Sequence, residues 1–193
     1  MAAAQEQAPN TRELILAAAE DLFASQGYQS TTIKQVAEQV GVQGPALYKH
    51  FANKRALFEE VLERVFDPFT SLMQDSRELP GTLQRVLEQQ VKNPNASRIV
   101  QQATLSGGED LALLVERWYL PFFEQAREAA SSGDGGLSAV NIMALHSMLL
   151  GYLTLAPLHR AIFDTEPLSV EALAELLQLE MSFVGLLAPD SAE

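Results

Sequence analysis

The sequence predicts an all-α protein: a small N-terminal group of three helices followed by a larger helical body, about nine helices in all. Three observations carry that prediction. Apolar residues recur with helical spacing along most of the chain, and no run alternates with period two for long enough to make a strand. Residues that start and stop helices also stand where the periodic runs begin and end. With 193 residues, 47% hydrophobic and 20% charged, the chain has material for a core, and disorder across most of it is excluded.

The first helix is expected from about Thr11 to Ser25. Asn10 caps it with Glu13 reaching back, and Ile15, Ala18, Leu22 and Phe23 form its apolar stripe. Gly27 ends it by tolerating a left-handed backbone. A second helix runs from about Ile33 to Gln39, where Thr32 and Gln35 have capping-box spacing and Ile33, Val36, Ala37 and Val40 share a face. Gly41 supports a tight turn. A short third helix, about Gly44 to His50, carries Pro45 in its first turn, where a missing N–H costs little. Helices this short are unstable alone and must pack as a unit.

After the cap at Asn53, a longer helix carries Leu57, Phe58, Val61, Leu62, Val65 and Phe66 toward about Met73, with Pro68 expected to bend or break it. Further helices are expected at about Gly81 to Lys92, Asn95 to Leu105, and Glu109 to Ser131, the last interrupted by Pro121. Ser131 to Gly136 reads as a flexible loop. Two final helices follow, about Leu137 to Phe163 and Ser169 to Leu187. Residues 1–10 and 189–193 are expected to be loosely ordered ends. The division is then a small domain over 11–55, with its motif at about 32–51, and a body over 56–188.

Composition narrows the chemistry. Without cysteine there is no disulfide, thiolate metal site or cysteine nucleophile, which suits a cytoplasmic protein. Met1 to Asn10 lacks the basic-then-apolar pattern of a signal peptide. No fixed charge occurs between Asp134 and Arg160, and Leu137 to Leu158 is long enough to span a bilayer. Ser138, Asn141, His146, Ser147, Thr154 and Pro157 interrupt it, however, and its near flanks lack an orienting basic cluster. A buried interface helix is therefore expected, and no membrane partner. His50, His146 and His159 are scattered without metal-ligand spacing, so no metal or other cofactor is expected. The net charge of −12 is segregated: five bases face four acids between Thr11 and Arg55, which leaves that stretch at +1.

That stretch carries the functional motif. Two short helices joined by a glycine-containing turn form a helix-turn-helix, whose second helix enters the major groove of DNA. Packing Val36, Ala37, Val40, Val42 and Leu47 inward leaves Gln43, Gly44, Pro45, Ala46, Tyr48, Lys49 and His50 outward. Tyr48, Lys49, His50 and Lys54 offer donors to phosphate oxygens. Tyr28 reads as a packing residue at the helix junction.

From Thr11 to Leu62 the chain resembles the DNA-binding region of TetR-type regulators. The resemblance rests on Leu22-Phe23, Gly27-Tyr28, Thr31-Thr32-Ile33, Val36-Ala37, Gly41-Val42, Ala46-Leu47-Tyr48-Lys49-His50-Phe51 and Asn53-Lys54-Arg55-Ala56-Leu57. It implies a three-helix DNA-binding domain, a linking helix, and a ligand-binding domain that dimerises through its last two long helices. Thr32 and Lys34 would touch phosphate or an outer base. Gly44, Pro45, Ala46, Lys49 and His50 would lie at groove positions, with Tyr48 and Lys54 as backbone anchors. Many members have Ser-Lys-Gly where this chain has Gln43-Gly44-Pro45. Base reading then falls to Gln43, Lys49 and apolar contact with thymine methyls.

In the body, Phe66, Phe69, Met73, Trp118, Tyr119, Phe122 and Phe123 are candidates to line a small-molecule pocket beside Pro68 and Pro121, with an aromatic core as the plainer alternative. His146 is a candidate to orient a ligand or, more simply, a hydrogen-bonded structural histidine. Glu59, Glu60 and Glu63 read as one solvated face. The broad apolar surface of the last helix, with the uncharged helix around Gly151, points to a homodimer made through about 137–187.

The expected function is a DNA-binding transcription regulator, a repressor released from an approximately palindromic double-stranded operator by a small, largely apolar effector. Two alternatives are a constitutive or architectural DNA binder without a ligand, and a helical-bundle enzyme, for which no catalytic constellation is visible.

Overall fold

The computed structural model describes residues 10–74, 79–124 and 138–187. The expectations for the two chain ends, the Ser131–Gly136 loop and Leu137 lie outside those residues. Among them the secondary structure is entirely helical: α1 (Thr11–Ser30), α2 (Ile33–Val40), α3 (Gly44–Leu47), α4 (Lys54–Gln74), α5 (Leu79–Lys92), α6 (Asn95–Ser106), α7 (Gly108–Leu114), α8 (Ala139–Phe163) and α9 (Val170–Leu187). A π-helical turn, Val115–Tyr119, continues α7 into helical residues 120–124.

The caps behave largely as their chemistry demands. Asn10 accepts from the Glu13 N–H at 3.0 Å, but the Glu13 carboxylate does not reach back; it pairs with Arg64 at 3.2 Å. At α2 the box is complete, since Thr32 Oγ1 accepts from Gln35 N–H and Gln35 Oε1 from Thr32 N–H, at 3.2 and 2.8 Å. Asn53 caps α4 by accepting from Ala56 N–H at 2.8 Å. Helical residues resume after Gly27, whose φ of +79° marks a break inside α1. A Cβ there would be strained and would meet Gln102 Oε1 at 3.2 Å.

Three further expectations need correction. Proline does not end α4, which continues through Pro68. The third helix closes at Leu47, and Tyr48 to His50 form a turn held by His50 N–H and Phe51 N–H on the Leu47 carbonyl, at 2.9 and 3.0 Å. The acids of α4 are not a bare solvated face, because Glu59 pairs with Arg55, Glu60 with Arg12 and Glu63 with Arg117.

One core runs through the molecule, from Ile15, Phe23, Val36 and Leu47 through Leu57, Val61 and Val65 to Ile99, Leu114, Trp118 and Leu176. Helix α1 packs against both α4 and α6, so the N-terminal helices are seated on the body. Burial of these side chains is worth roughly 1.5–3 kcal/mol each.

The last two helices differ. Helix α8 is long and apolar enough to cross a membrane, by length and composition, yet only Leu145, Leu149 and Ala156 are buried within the chain. Val140, Leu155, Leu158 and Ile162 repeat at helical spacing on an exposed face, and α9 adds Leu179, Phe183 and Leu186. These faces are therefore not covered within the single chain.

Candidate nucleic-acid interface and ligand pocket

The head is a buried wedge with a solvated outer surface. Val36, Ala37, Leu47 and Phe51 are each 3% exposed or less. Val40 and Val42 pack partly against them. Anchoring α3 through Leu47 leaves its other faces and its flanking residues free: Gln43 and Pro45, and Lys49 and His50 in the turn that follows, are exposed, Gly44 and Ala46 are half-buried, and Tyr48 is 58% exposed. Thr32 and Lys34 are exposed at the start of α2, where Lys34 shares its ammonium with Glu38 at 3.6 Å. An exposed pair of that kind is worth little and leaves the lysine available. Thr32, Lys34, Gln43, Tyr48, Lys49 and His50 are thus solvent-accessible groups of one small unit.

Lys54 is placed differently. Its ammonium donates to the carbonyls of Tyr28 and Thr31 at 2.7 and 2.8 Å and to that of Gln29 at 3.4 Å. It also sits 4.2 Å from the centre of the Tyr28 ring. All three donors are spent on the α1–α2 connection, and partial burial lowers the Lys54 pKa. In this structure Lys54 is an anchor that ties the start of α4 to the α1–α2 connection. Tyr28 is a packing residue, with ring centres 4.7 Å from Phe58 and 5.9 Å from Phe23. Lys54→Met is expected to destabilise the head by about 2 kcal/mol, because it removes charge-assisted hydrogen bonds to the part-buried carbonyls of Tyr28 and Thr31. Amide hydrogen exchange at the α1–α2 turn should rise with it; unchanged exchange there would remove the anchoring role.

The pocket candidates gather in two adjoining groups. Phe66 lies 6.3 Å from Phe69 and 5.8 Å from Trp118, all three buried. Tyr119, Phe123 and His146 form the second, with ring centres 5.3–5.9 Å apart, and Phe122 joins it at 5.4 Å from Phe123. The groups meet because Trp118 and Tyr119 are consecutive in the π turn. The Met73 side chain lies outside the description. Trp118 Nε1 donates to Asp67 Oδ1 at 3.4 Å. His146 contacts rings rather than hydrogen-bond partners, and burial lowers its pKa while raising that of Tyr119. A neutral imidazole amid aromatic edges suits an apolar ligand better than an anion.

Sequence reasoning missed the buried acids. Asp110, 4% exposed, accepts from Arg55 at 2.8 Å and from Gln29 at 3.0 Å. Glu20 meets Arg64 at 3.4 Å and Asn95 at 3.1 Å. Glu180, at 1% exposure, has no hydrogen-bond partner on either oxygen. Among the described residues, no group of three His, Asp or Glu is placed to hold a metal ion.

Described residues that are all helical, with a capped, solvated helix-turn-helix seated on a body that holds a cluster of aromatic side chains, fit the class of helix-turn-helix regulators. Comparison with known proteins makes the assignment particular. Residues 15–61 match the family model described as bacterial regulatory proteins, tetR family. The chain is 34% identical over 110 residues to the nucleoid occlusion factor SlmA of Photobacterium profundum, covering 52% of this chain and 56% of that one. It is 30% identical over 137 residues to SlmA of Marinobacter nauticus, covering 66% and 70%. A transcriptional regulator of Aquifex aeolicus shares the fold, with a TM-score of 0.67 at 21% identity over 91% of this chain and 99% of that one. The chain belongs to the tetR family of bacterial regulatory proteins. It spans about half the length of the first curated relatives it matches, 56%, 48% and 53%.

Proposed function

We propose that the protein is a cytoplasmic homodimeric transcription regulator that binds a near-palindromic operator and leaves it when a small, largely apolar ligand enters the body. Residues 11–55 are the reading head and 56–188 the sensing and dimerising part. The observation that carries this is α3 with the turn that follows it, buried through Leu47 at 1% exposure yet presenting Tyr48, Lys49 and His50 to solvent. The helix and turn of an ordinary bundle have no need to gather three donors at one exposed corner. The small residues Gly44 and Ala46 allow close approach to base edges, Gln43 and Lys49 supply donors to bases, and Thr32, Lys34, Tyr48 and His50 contact the phosphate backbone. Two heads in one dimer would meet successive major grooves roughly 34–36 Å apart or a multiple of that.

Selection of bound sequences from a random DNA pool tests this directly, since a paired half-site should emerge. Lys49→Ala combined with His50→Ala is expected to weaken operator binding about 10-fold or more while the dimer persists, each lost contact costing about 1 kcal/mol. Unchanged affinity at fixed salt would refute the reading head. A thermal-shift screen against metabolites separates a sensor from a constitutive binder, because a specific ligand raises the melting temperature by mass action.

The relatives named nucleoid occlusion factor support a second reading, in which DNA binding marks chromosomal territory rather than one promoter. Their alignments run over 97–137 residues, past the 47 of the family model. Genome-wide occupancy distinguishes the two: a few promoter sites favour the regulator, many dispersed sites the occlusion factor.

A further inference from the structure

The head caps its helices with one exception. Asn10, Thr32 and Asn53 each accept a backbone N–H at the start of α1, α2 and α4, at 3.0, 3.2 and 2.8 Å. Helix α3 is four residues long and has the most to gain from such a bond. Yet the residue before it is Gln43, whose side chain makes no capping contact. Serine, threonine, asparagine or aspartate there would satisfy an early N–H group, a gain of about fivefold in the folding equilibrium.

The Gln43 amide is not engaged elsewhere in the fold. Gln26 donates to Thr31 and Gln35, Gln29 to Asp110, and Gln35 closes the box with Thr32. Gln43 is exposed, and its side chain has no hydrogen-bond partner among the described residues. The space beside it is open, since a Cβ at Gly44 would meet nothing within 4 Å. Pro45 and Ala46 bring no side-chain donor or acceptor, so over residues 43–46 only Gln43 can hydrogen-bond through its side chain.

The exposed groups that follow differ in kind. Lys49 carries donors only, Tyr48 a single hydroxyl, and the two nitrogens of His50 lie apart on its ring. A glutamine amide holds an acceptor and a donor side by side. In the major groove adenine presents the matching pair, the N7 acceptor beside the N6 donor, whereas guanine presents two acceptors.

We propose that Gln43 is the specificity-determining residue of the head and reads one adenine in each half-site through both ends of its amide. This rests on the regulator reading above and adds the base that is recognised. The shortest helix of the head goes without a cap because the side chain at that position is engaged outside the chain, on the DNA. Gly44 beside it leaves room for the base edge to approach.

Sequences bound by the full-length protein are selected from a random DNA pool. Each position of the recovered site is then replaced in turn, and affinity is read by anisotropy of the labelled DNA at fixed salt. The wild type should show one adenine per half-site whose replacement by any other base weakens binding about 10-fold. Gln43→Ser should accept the four bases there alike and bind the wild-type site about 10-fold more weakly for each half-site. It should also melt about 2–4 °C higher, because serine supplies the missing cap. Gln43→Lys should move the preference to guanine, whose N7 and O6 both accept. Gln39→Ala, an exposed glutamine on α2, serves as the control and should recover the wild-type site. A recovered half-site without such an adenine would overturn the proposal, as would wild-type discrimination that survives in Gln43→Ser. A melting temperature that fails to rise in Gln43→Ser would give the glutamine a task inside the fold and overturn it equally. If the wild type enriches no sequence at all, the regulator reading fails instead.

Discussion

Glu180→Met is expected to raise stability near pH 8 by about 3 kcal/mol and to flatten the pH dependence of unfolding. Glu180 lies on α9 one turn after Leu176, with both carboxyl oxygens buried and without hydrogen-bond partners. Burial pushes its pKa up to about 7 from the usual 4.5. The sign follows from proton counting. Between those two values the folded chain holds a proton that the unfolded chain has lost, so stability falls as pH rises through that window. Above the upper value the carboxylate is charged in both states and the penalty is complete. Methionine fills the same space without a charge and suits irregular apolar sites. The gain should appear as a rise in melting temperature of about 2–4 °C per kcal/mol for a chain of this size. Protein concentration must be held fixed, since association contributes to apparent stability. The difference between wild type and variant isolates this group from the other carboxylates. A wild-type curve parallel to that of the variant through the window would mean that the carboxylate is paired in solution, and the prediction fails.

Much of the head was legible because its signals are local. The Thr32–Gln35 box, the Gly41 turn and the Asn53 cap each depend on residues within four positions of one another, so spacing alone reveals them. Leu47 could be placed inward because its apolar neighbours recur in phase. The carbonyls that Lys54 serves could not be read from the sequence, because they lie 23–26 residues earlier in the chain. The same distance hid the partners of Glu60 and Glu63, which are 48 and 54 residues away. Pro121 marked an interruption, but whether a helix breaks, kinks or widens depends on what its flanks must touch. Glu180 had a usable signal, since it falls in phase with Leu173, Leu176 and Leu177, where a solvated acid does not belong.

The second large effect concerns the exposed faces of α8 and α9. Leu155→Asp and Phe183→Asp are each expected to weaken dimerisation about 100-fold or more, because an unpaired charge in an apolar interface costs about 3 kcal/mol or more. These side chains are 44% and 45% exposed in the single chain, so neither substitution disturbs the internal core, and helical content should persist. Two features support the proposal that a second copy covers this face. Its apolar residues repeat along α8 at Val140, Leu155, Leu158 and Ile162 and along α9 at Leu179, Phe183 and Leu186, so two such hairpins can interdigitate as a four-helix bundle. It also lacks the basic flanks that would hold a membrane helix in place. Operator binding should then fall with the dimer, by about 10²–10⁴, because the second head loses the high effective concentration that linkage gives it. Leu105→Asp serves as the control: it is 84% exposed on α6, outside the two helices of this face, and should leave dimer and affinity unchanged. Sedimentation of a wild-type monomer, or an Asp variant that remains dimeric, would rule out this face, and co-sedimentation with lipid vesicles would reassign it to a bilayer.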